Sequence, residues 1–190
     1  VGSDGVITVA RFPLGSTDPS KYTQQKLAMS TIRLDSAPLF DCASETRCVI
    51  VAKSRDFSSF ALWQMVGGVW SDPVTVPVPV GTYTTTTPTP ELLSCATDGT
   101  CTVAGRAQGS STQSGIGQTF IVSASADGKV GSVSLPVMPV PTSTAGSLVS
   151  LSCPTGGRCV LGGNYVINAG RGYFPGRAFT IVQSAGTWPA

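Results

Sequence analysis

The sequence predicts an all-β fold: a complete or partial β-propeller of about four antiparallel, four-stranded blades, three of which carry an intra-blade disulfide hairpin. The composition is the first observation behind this prediction. Glycine (22) and proline (14) are abundant, 41% of the 190 residues are hydrophobic and 12% are charged, which suits neither a disordered nor a helical chain. The second observation is a repeat, because the cysteine pairs that begin at Cys42, Cys95 and Cys153 are separated by 53 and 58 residues. Periods of roughly this length with strand-like content are typical of propeller blades.

Each repeat contains four predicted strands, which we name a to d. Strand a ends in an apolar residue and a serine or aspartate before the first cysteine, and strand b begins at the second cysteine. Strand c is an apolar run that begins at phenylalanine. A glycine turn then leads into strand d, which closes on proline in two of the three complete repeats. The marker residues are Asp41, Ser94 and Ser152 in strand a; Ala52, Gly105 and Gly163 in b; Phe60, Phe120 and Phe179 in c; Gly68, Gly128 and Gly186 before d; and Pro77 and Pro136 at its end.

The six cysteines form pairs with five residues between the two members. The pairs are Cys42 with Cys48, Cys95 with Cys101, and Cys153 with Cys159. Zinc sites favour a two-residue spacing or histidine ligands, so a metal site fits poorly. The intervening residues are turn formers, which favours a disulfide across each a–b hairpin, with reduced structural cysteines as the alternative. Disulfides indicate an oxidising compartment, and we therefore expect a secreted protein.

The first and last repeats are incomplete. Residues 3–10 align with 97–104, which places Ile7 where Cys101 stands, and strand c of the first blade is expected to start at Leu27. A propeller has to close its ring, so we expect a second chain, a second copy or the rest of a longer precursor to supply the missing strands. Self-closure of four blades and a different all-β fold remain alternatives. The predicted blades, within one domain at 1–190, are about 1–38, 39–90, 91–145 and 146–190.

The repeat pattern of Ser-Cys-x5-Cys-x-x-x-Gly, an apolar strand, Gly-x-Trp and a final proline resembles the repeats of secreted bacterial propellers, particularly actinobacterial ones. These are similar to sialidase-like and photosystem-assembly-factor-like repeats. The sialidase Asp box reads Ser-x-Asp-x-Gly-x-x-Trp. Ser125, Asp127 and Gly128 approximate its start, but the glycine comes one residue early and the tryptophan is missing. The resemblance therefore implies the architecture, and a sialidase-like glycoside hydrolase is only a secondary functional alternative.

Several functional classes are disfavoured by what the sequence contains. The chain has no histidine, which removes histidine-based acid–base catalysis and histidine metal ligands. A net charge of +2 without a basic block gives no reason to expect nucleic acid as a partner. No apolar run of membrane-spanning length occurs, so membrane insertion is not expected. We expect no cofactor, no metal and no catalytic residue, and interpret the start at Val1 as a processed end.

A binding site is predicted on the connections between strands b and c, because loops of variable length often carry specificity. Aromatic rings beside arginine and aspartate suit a carbohydrate or a cell-surface target. The candidate ligand-binding residues are Arg55, Asp56, Phe57, Arg171, Tyr173, Phe174 and Arg177. Tyr173 and Phe174 could instead fold back on the blade edge.

The three tryptophans are predicted to have different positions in the fold. Trp70 and Trp188 occupy matching repeat positions and are expected to pack between blades, whereas Trp63 suits either the core or an edge.

The predicted function is a non-catalytic, lectin-like binding module. The alternative is a scaffold subunit that completes a split propeller with another chain.

Overall fold

The computed structural model describes residues 7–11, 18, 23–27, 37–54, 59–78, 86–109, 118–139, 144–167 and 176–189. Within these ranges the regular secondary structure consists of β-strands, so the all-β prediction is confirmed. The strands are β1 Ile7–Arg11, β2 Thr23–Leu27, β3 Leu39–Ser44, β4 Arg47–Lys53, β5 Ser59–Val66, β6 Val69–Trp70, β7 Val74–Pro77, β8 Thr86–Cys95, β9 Cys101–Gly109, β10 Gln118–Ala124, β11 Thr144–Thr155, β12 Arg158–Ile167 and β13 Arg177–Val182.

The strands form four antiparallel sheets that follow one another along the chain. The first sheet is the hairpin β1–β2, and the second has the order β3-β4-β5-β6 with β7 also paired to β5. The third is β8-β9-β10 and the fourth is β11-β12-β13. The second, third and fourth sheets thus each begin with strands a, b and c in the predicted order. Strand d is β6 and β7 in the second sheet and isolated bridges, such as Ala124 to Val130 and Ser184 to Thr187, in the other two.

The disulfide prediction is confirmed for all three pairs. Cys42–Cys48, Cys95–Cys101 and Cys153–Cys159 are bonded, with Cα–Cα distances of 4.0, 3.9 and 4.2 Å. Each bond links strand a to strand b next to the turn that joins them. The three bonds account for every cysteine, so the metal-site and free-thiol alternatives are wrong.

The sheets stack face to face in chain order. Alternate residues of a strand point to opposite faces of its sheet, so the core in which each residue packs shows which neighbour covers that face. In β4, Val49 and Val51 pack in a core with the third sheet, and Ile50 and Ala52 pack in a core with the first sheet. Strand β9 repeats the arrangement, with Val103 in the core toward the second sheet and Ala104 in the core toward the fourth. The second and third sheets are therefore covered on both faces.

Neighbouring sheets have the same polarity. Asp41 Oδ2 accepts a hydrogen bond of 2.7 Å from the amide of Cys95, and Ser94 Oγ accepts one of 3.1 Å from the amide of Cys153. These bonds align the a–b turns of neighbouring sheets, and they also set strands a side by side. We call the end with the a–b turns and disulfides the disulfide edge. The opposite end, where strands b end and strands c begin, is the loop edge.

All three tryptophans lie in or pack against the cores between sheets. Trp188, at 7% exposed, belongs to the core between the third and fourth sheets. Trp70 packs against the core between the first and second sheets, so both predictions of packing between repeats are confirmed. Trp63, at 1% exposed, lies in that same core, which decides its open assignment in favour of the core.

The first sheet differs from the sequence alignment. Its second strand ends at Leu27 instead of starting there. Ile7 is buried in the core that faces the second sheet, whereas Cys101 packs on the side of its sheet that faces backward along the chain. A shift of one residue reverses the face to which each side chain of a strand points. The predicted alignment of Ile7 with Cys101 is therefore wrong, and the error is an odd number of residues.

Candidate functional site

Most of the predicted site lies outside the described part of the chain. The residues concerned are Arg55, Asp56, Phe57, Arg171, Tyr173 and Phe174. Arg177 is described: it is the first residue of β13, it is exposed, and it pairs across strands with Tyr165 of β12. This position is at the loop edge of the fourth sheet, as the sequence predicted for the connection that precedes it.

The loop edge of the fourth sheet presents polar groups on both faces of the sheet. Tyr165 is half-buried and its ring contacts that of Phe179, with centroids 6.5 Å apart. On the opposite face of the sheet, Ser147 Oγ donates to Asn164 Oδ1 over 2.9 Å at an exposed site. Arg177 pairs across strands with Tyr165, and a guanidinium next to an aromatic ring can bind a sugar or a polar peptide.

Arg106, at the loop edge of the third sheet, links that sheet to the fourth. Its guanidinium forms an ion pair with Glu91, with Nη2 and Oε1 2.6 Å apart, and Nε donates to the same oxygen over 2.7 Å. It also donates through Nη1 to the carbonyl of Gly146 at the start of the fourth sheet. Arg106 thus ties two sheets together and has few donors left for a ligand.

The disulfide edge contains a buried arginine. Arg47, 5% exposed, donates to the carbonyl of Gly99 over 2.9 Å, to that of Ser125 over 2.6 Å and to Gln64 Oε1 over 2.9 Å. Gln64 in turn donates to the carbonyl of Gly128 over 2.6 Å. Burial lowers the pKa of Arg47, and the charge of Asp127 partly offsets this effect. This network joins the second sheet to two turns of the third.

Sequence reasoning missed Arg47. It directly precedes the second cysteine of its repeat, and Arg158 holds the same position in the fourth sheet. Arg158 is exposed. The sequence carries no signal that separates the two arginines, because the difference comes from the third sheet that covers Arg47.

Two aspartates at the disulfide edge have lowered pKa values. The pKa of Asp98 is lowered mainly by hydrogen bonds from the amides of Thr100, at 3.0 Å, and Gly156, at 2.6 Å. That of Asp127 is lowered by hydrogen bonds from Lys129 and Ser125. The turn that contains Asp127 is the one that approximates an Asp box. Both carboxylates act as acceptors that hold turns, and a low pKa is unsuited to a general acid.

The outer face of the fourth sheet, which points away from the third, is exposed. Pairing across its strands places six residues there, namely Ser150, Ser152, Val160, Gly162, Thr180 and Val182. Val160 is 40% exposed and Val182 is 55% exposed. Val49, at the same repeat position as Val160, is fully buried under the third sheet.

The described residues include no group of three or more histidine, cysteine, aspartate or glutamate side chains that could hold a metal ion. They also include no helix with the length and apolarity that crossing a membrane requires. No family model matches the chain, and no curated protein is significantly similar to it.

Proposed function

We propose that the chain is a secreted, non-catalytic binding module built from propeller blades, which binds a carbohydrate or a carbohydrate-bearing cell surface at its loop edge. The blade interpretation is supported by sheets of the same polarity whose a strands lie side by side, as blades do around a propeller axis. The bacterial propeller resemblance of the repeats agrees with it. Secretion is supported by the three disulfides.

The observation that carries the binding proposal is the exposed Arg177 beside an aromatic ring at the loop edge of the fourth sheet, compared with the bonded turns at the disulfide edge of the second and third sheets. At the disulfide edge, the turns bind one another through Arg47, Gln64 and Asp98. At the loop edge of the fourth sheet, Arg177 is exposed beside Tyr165. Exposed polar groups at this edge are available to a ligand. The connection that contains Tyr173 and Phe174 begins and ends at the same edge, and such connections often carry specificity.

A matched pair of variants tests the site. Arg177→Ala and Arg158→Ala remove the same charge from exposed positions at opposite ends of the fourth sheet. Binding of the labelled 190-residue chain to an immobilised glycan panel is measured for both. We expect Arg177→Ala to weaken binding about tenfold, a loss of about 1.4 kcal/mol, and Arg158→Ala to leave it unchanged.

A second variant, Tyr173→Ala with Phe174→Ala, tests the aromatic part of the site and should abolish binding at an unchanged melting temperature. Equal losses for Arg177→Ala and Arg158→Ala would show that only net charge matters. Wild-type binding by the double variant would remove the aromatic residues from the site, and no glycan binding by the wild type would refute the carbohydrate proposal.

A scaffold function is the second candidate, and a specific observation favours it. The outer face of the fourth sheet exposes valines at positions that the second sheet buries under its neighbour. Exposed apolar faces on soluble proteins often mark interaction sites. In this function the stack of sheets joins a further unit and completes a larger propeller.

A further inference from the structure

We infer that the outer face of the fourth sheet binds one further sheet of the same disulfide-hairpin repeat type. The inference deepens the scaffold function and rests on it, and it is independent of glycan binding at the loop edge. Its basis is the interface that already occurs between the second and third sheets and again between the third and fourth.

The positions that form this interface are equivalent in the three sheets. The second sheet presents Val49, Val51 and Leu62 to the third, and all are at most 1% exposed. The third sheet uses Thr102, Ala104 and Ile121, again at most 1% exposed, on its side toward the fourth. The corresponding residues of the fourth sheet are Val160, Gly162 and Thr180, and Val160 and Thr180 are exposed. The equivalent face of the second and third sheets is covered by the next sheet along the chain, whereas no sheet among the described residues covers this face of the fourth.

Hydrogen bonding identifies what the missing sheet offers. In two consecutive sheets, the side chain before the first cysteine accepts a bond from the amide of the next repeat's first cysteine, from Cys95 to Asp41 and from Cys153 to Ser94. Ser152 is the equivalent residue of the fourth sheet, and it is exposed on the outer face. A further repeat would place the amide of its own first cysteine against the Ser152 hydroxyl.

A second copy of this chain cannot make that contact. The amides of its first cysteines are already used, since Cys42 donates to Asp41 Oδ1 over 2.9 Å and the other two donate to neighbouring sheets. The free face of its first sheet is also unsuitable, because pairing places Thr8 and Lys26 there, both exposed. Lys26 would have to lose water against valine side chains, which costs free energy. The occupant is therefore a repeat with a free first cysteine amide.

The test supplies that repeat. A second copy of residues 79–139 is appended directly after Ala190. The first cysteine of the copy then follows Cys153 at a spacing that equals, to within one residue, the spacing between Cys42 and Cys95. The copied unit contains the third sheet, whose backward face covers Val49. Exposure of valine methyl groups is then measured by NMR with a soluble paramagnetic probe, in the original and the extended chain.

We expect the probe effect on Val160 and Val182 to fall, in the extended chain, to the level of the buried Val103. The exposed valines Val66 and Val69, in the second sheet, should keep their values and serve as controls. Ser152→Ala should lower the melting temperature of the extended chain but not that of the original chain. Ser150→Ala, on the same face, should have the same small effect in both chains.

Two results would overturn the inference. If the Val160 and Val182 methyl groups stay exposed in the extended chain, the face does not bind a repeat of this type. If the original chain dimerises in native mass spectrometry and Val182→Lys, but not Val69→Lys, makes it monomeric, a second copy is the occupant. Glycan binding is measured separately, so neither result depends on the loop edge.

Discussion

At the residue scale, Arg47 and Arg158 show how the same position in a repeat acquires different roles. Both directly precede the second cysteine of a disulfide hairpin. Arg47 is covered by the third sheet and donates to three polar groups at 2.9 Å or less, whereas Arg158 is exposed. Coverage by a neighbouring sheet converts a surface cation into a link between sheets.

The first prediction concerns the replacement of Arg47. Arg47→Ala should lower the free energy of unfolding by about 3 kcal/mol, because it leaves buried carbonyl groups without donors. Urea denaturation followed by tryptophan fluorescence measures the change. Arg158→Ala should alter stability by less than about 0.5 kcal/mol, since exposed positions contribute little. Equal effects of the two substitutions would show that the buried network of Arg47 does not contribute to folding.

Single residues also show why contacts between sheets could not be predicted. The sequence revealed an aspartate or serine before each first cysteine, but gave no reason for it. The reason is the hydrogen bond from Asp41 or Ser94 to the next sheet, and that partner lies 54 or 59 residues away along the chain. A pattern within one repeat cannot show a contact between repeats.

At the element scale, the hairpins were the most predictable part of the fold. Cysteine spacing and turn residues act locally, so the a–b disulfides and the glycine turns before strand d follow directly from the sequence. Gly67 and Gly68, for example, have positive φ values of 61° and 84°, as a two-residue turn between antiparallel strands requires. The alignment predicted for the first hairpin is wrong, because this hairpin has no cysteine to fix its register.

Turns of neighbouring hairpins also bind each other, which leads to a prediction about pH. Asp98 accepts hydrogen bonds from its own turn and from Gly156 of the next sheet, and these lower its pKa below the ordinary value of 3.8. A lowered folded-state pKa means that the ionised form stabilises the protein above the unfolded-state value. This contribution is lost as the pH falls through the folded-state pKa.

The free energy of unfolding should therefore decrease as the pH is lowered from about 5 to about 2, and Asp98→Asn should make the decrease smaller. Thermal melts across this range measure it. Asp72→Asn, at an exposed position between β6 and β7, is the matched control and should leave the pH dependence unchanged. A wild-type pH dependence in Asp98→Asn would mean that other carboxylates, such as Asp127, account for the acid sensitivity.

At the scale of the whole molecule, the sheets differ in how much of them is covered. The second and third sheets lie between neighbours, and the aromatic rings of Phe60 and Phe120 stack across their interface with centroids 5.5 Å apart. The fourth sheet has a neighbour on one face. In a stack of repeats, stability depends on contacts with nearest neighbours, so local stability should decrease toward the uncovered end.

Strands β9 and β12 allow this to be measured with hydrogen bonding held constant, since each is the central strand of its sheet and pairs with strands on both sides. Amides of β9 should exchange with solvent more slowly than those of β12, because opening β9 exposes two cores and opening β12 exposes one. Hydrogen–deuterium exchange with mass spectrometry of peptides covering 101–107 and 159–165 provides the comparison. Equal protection in a monomer would mean that the fourth sheet is stabilised from within, by its disulfide and its own strand pairing. Its outer face would then need no partner for stability and could act as a surface that is covered only on assembly.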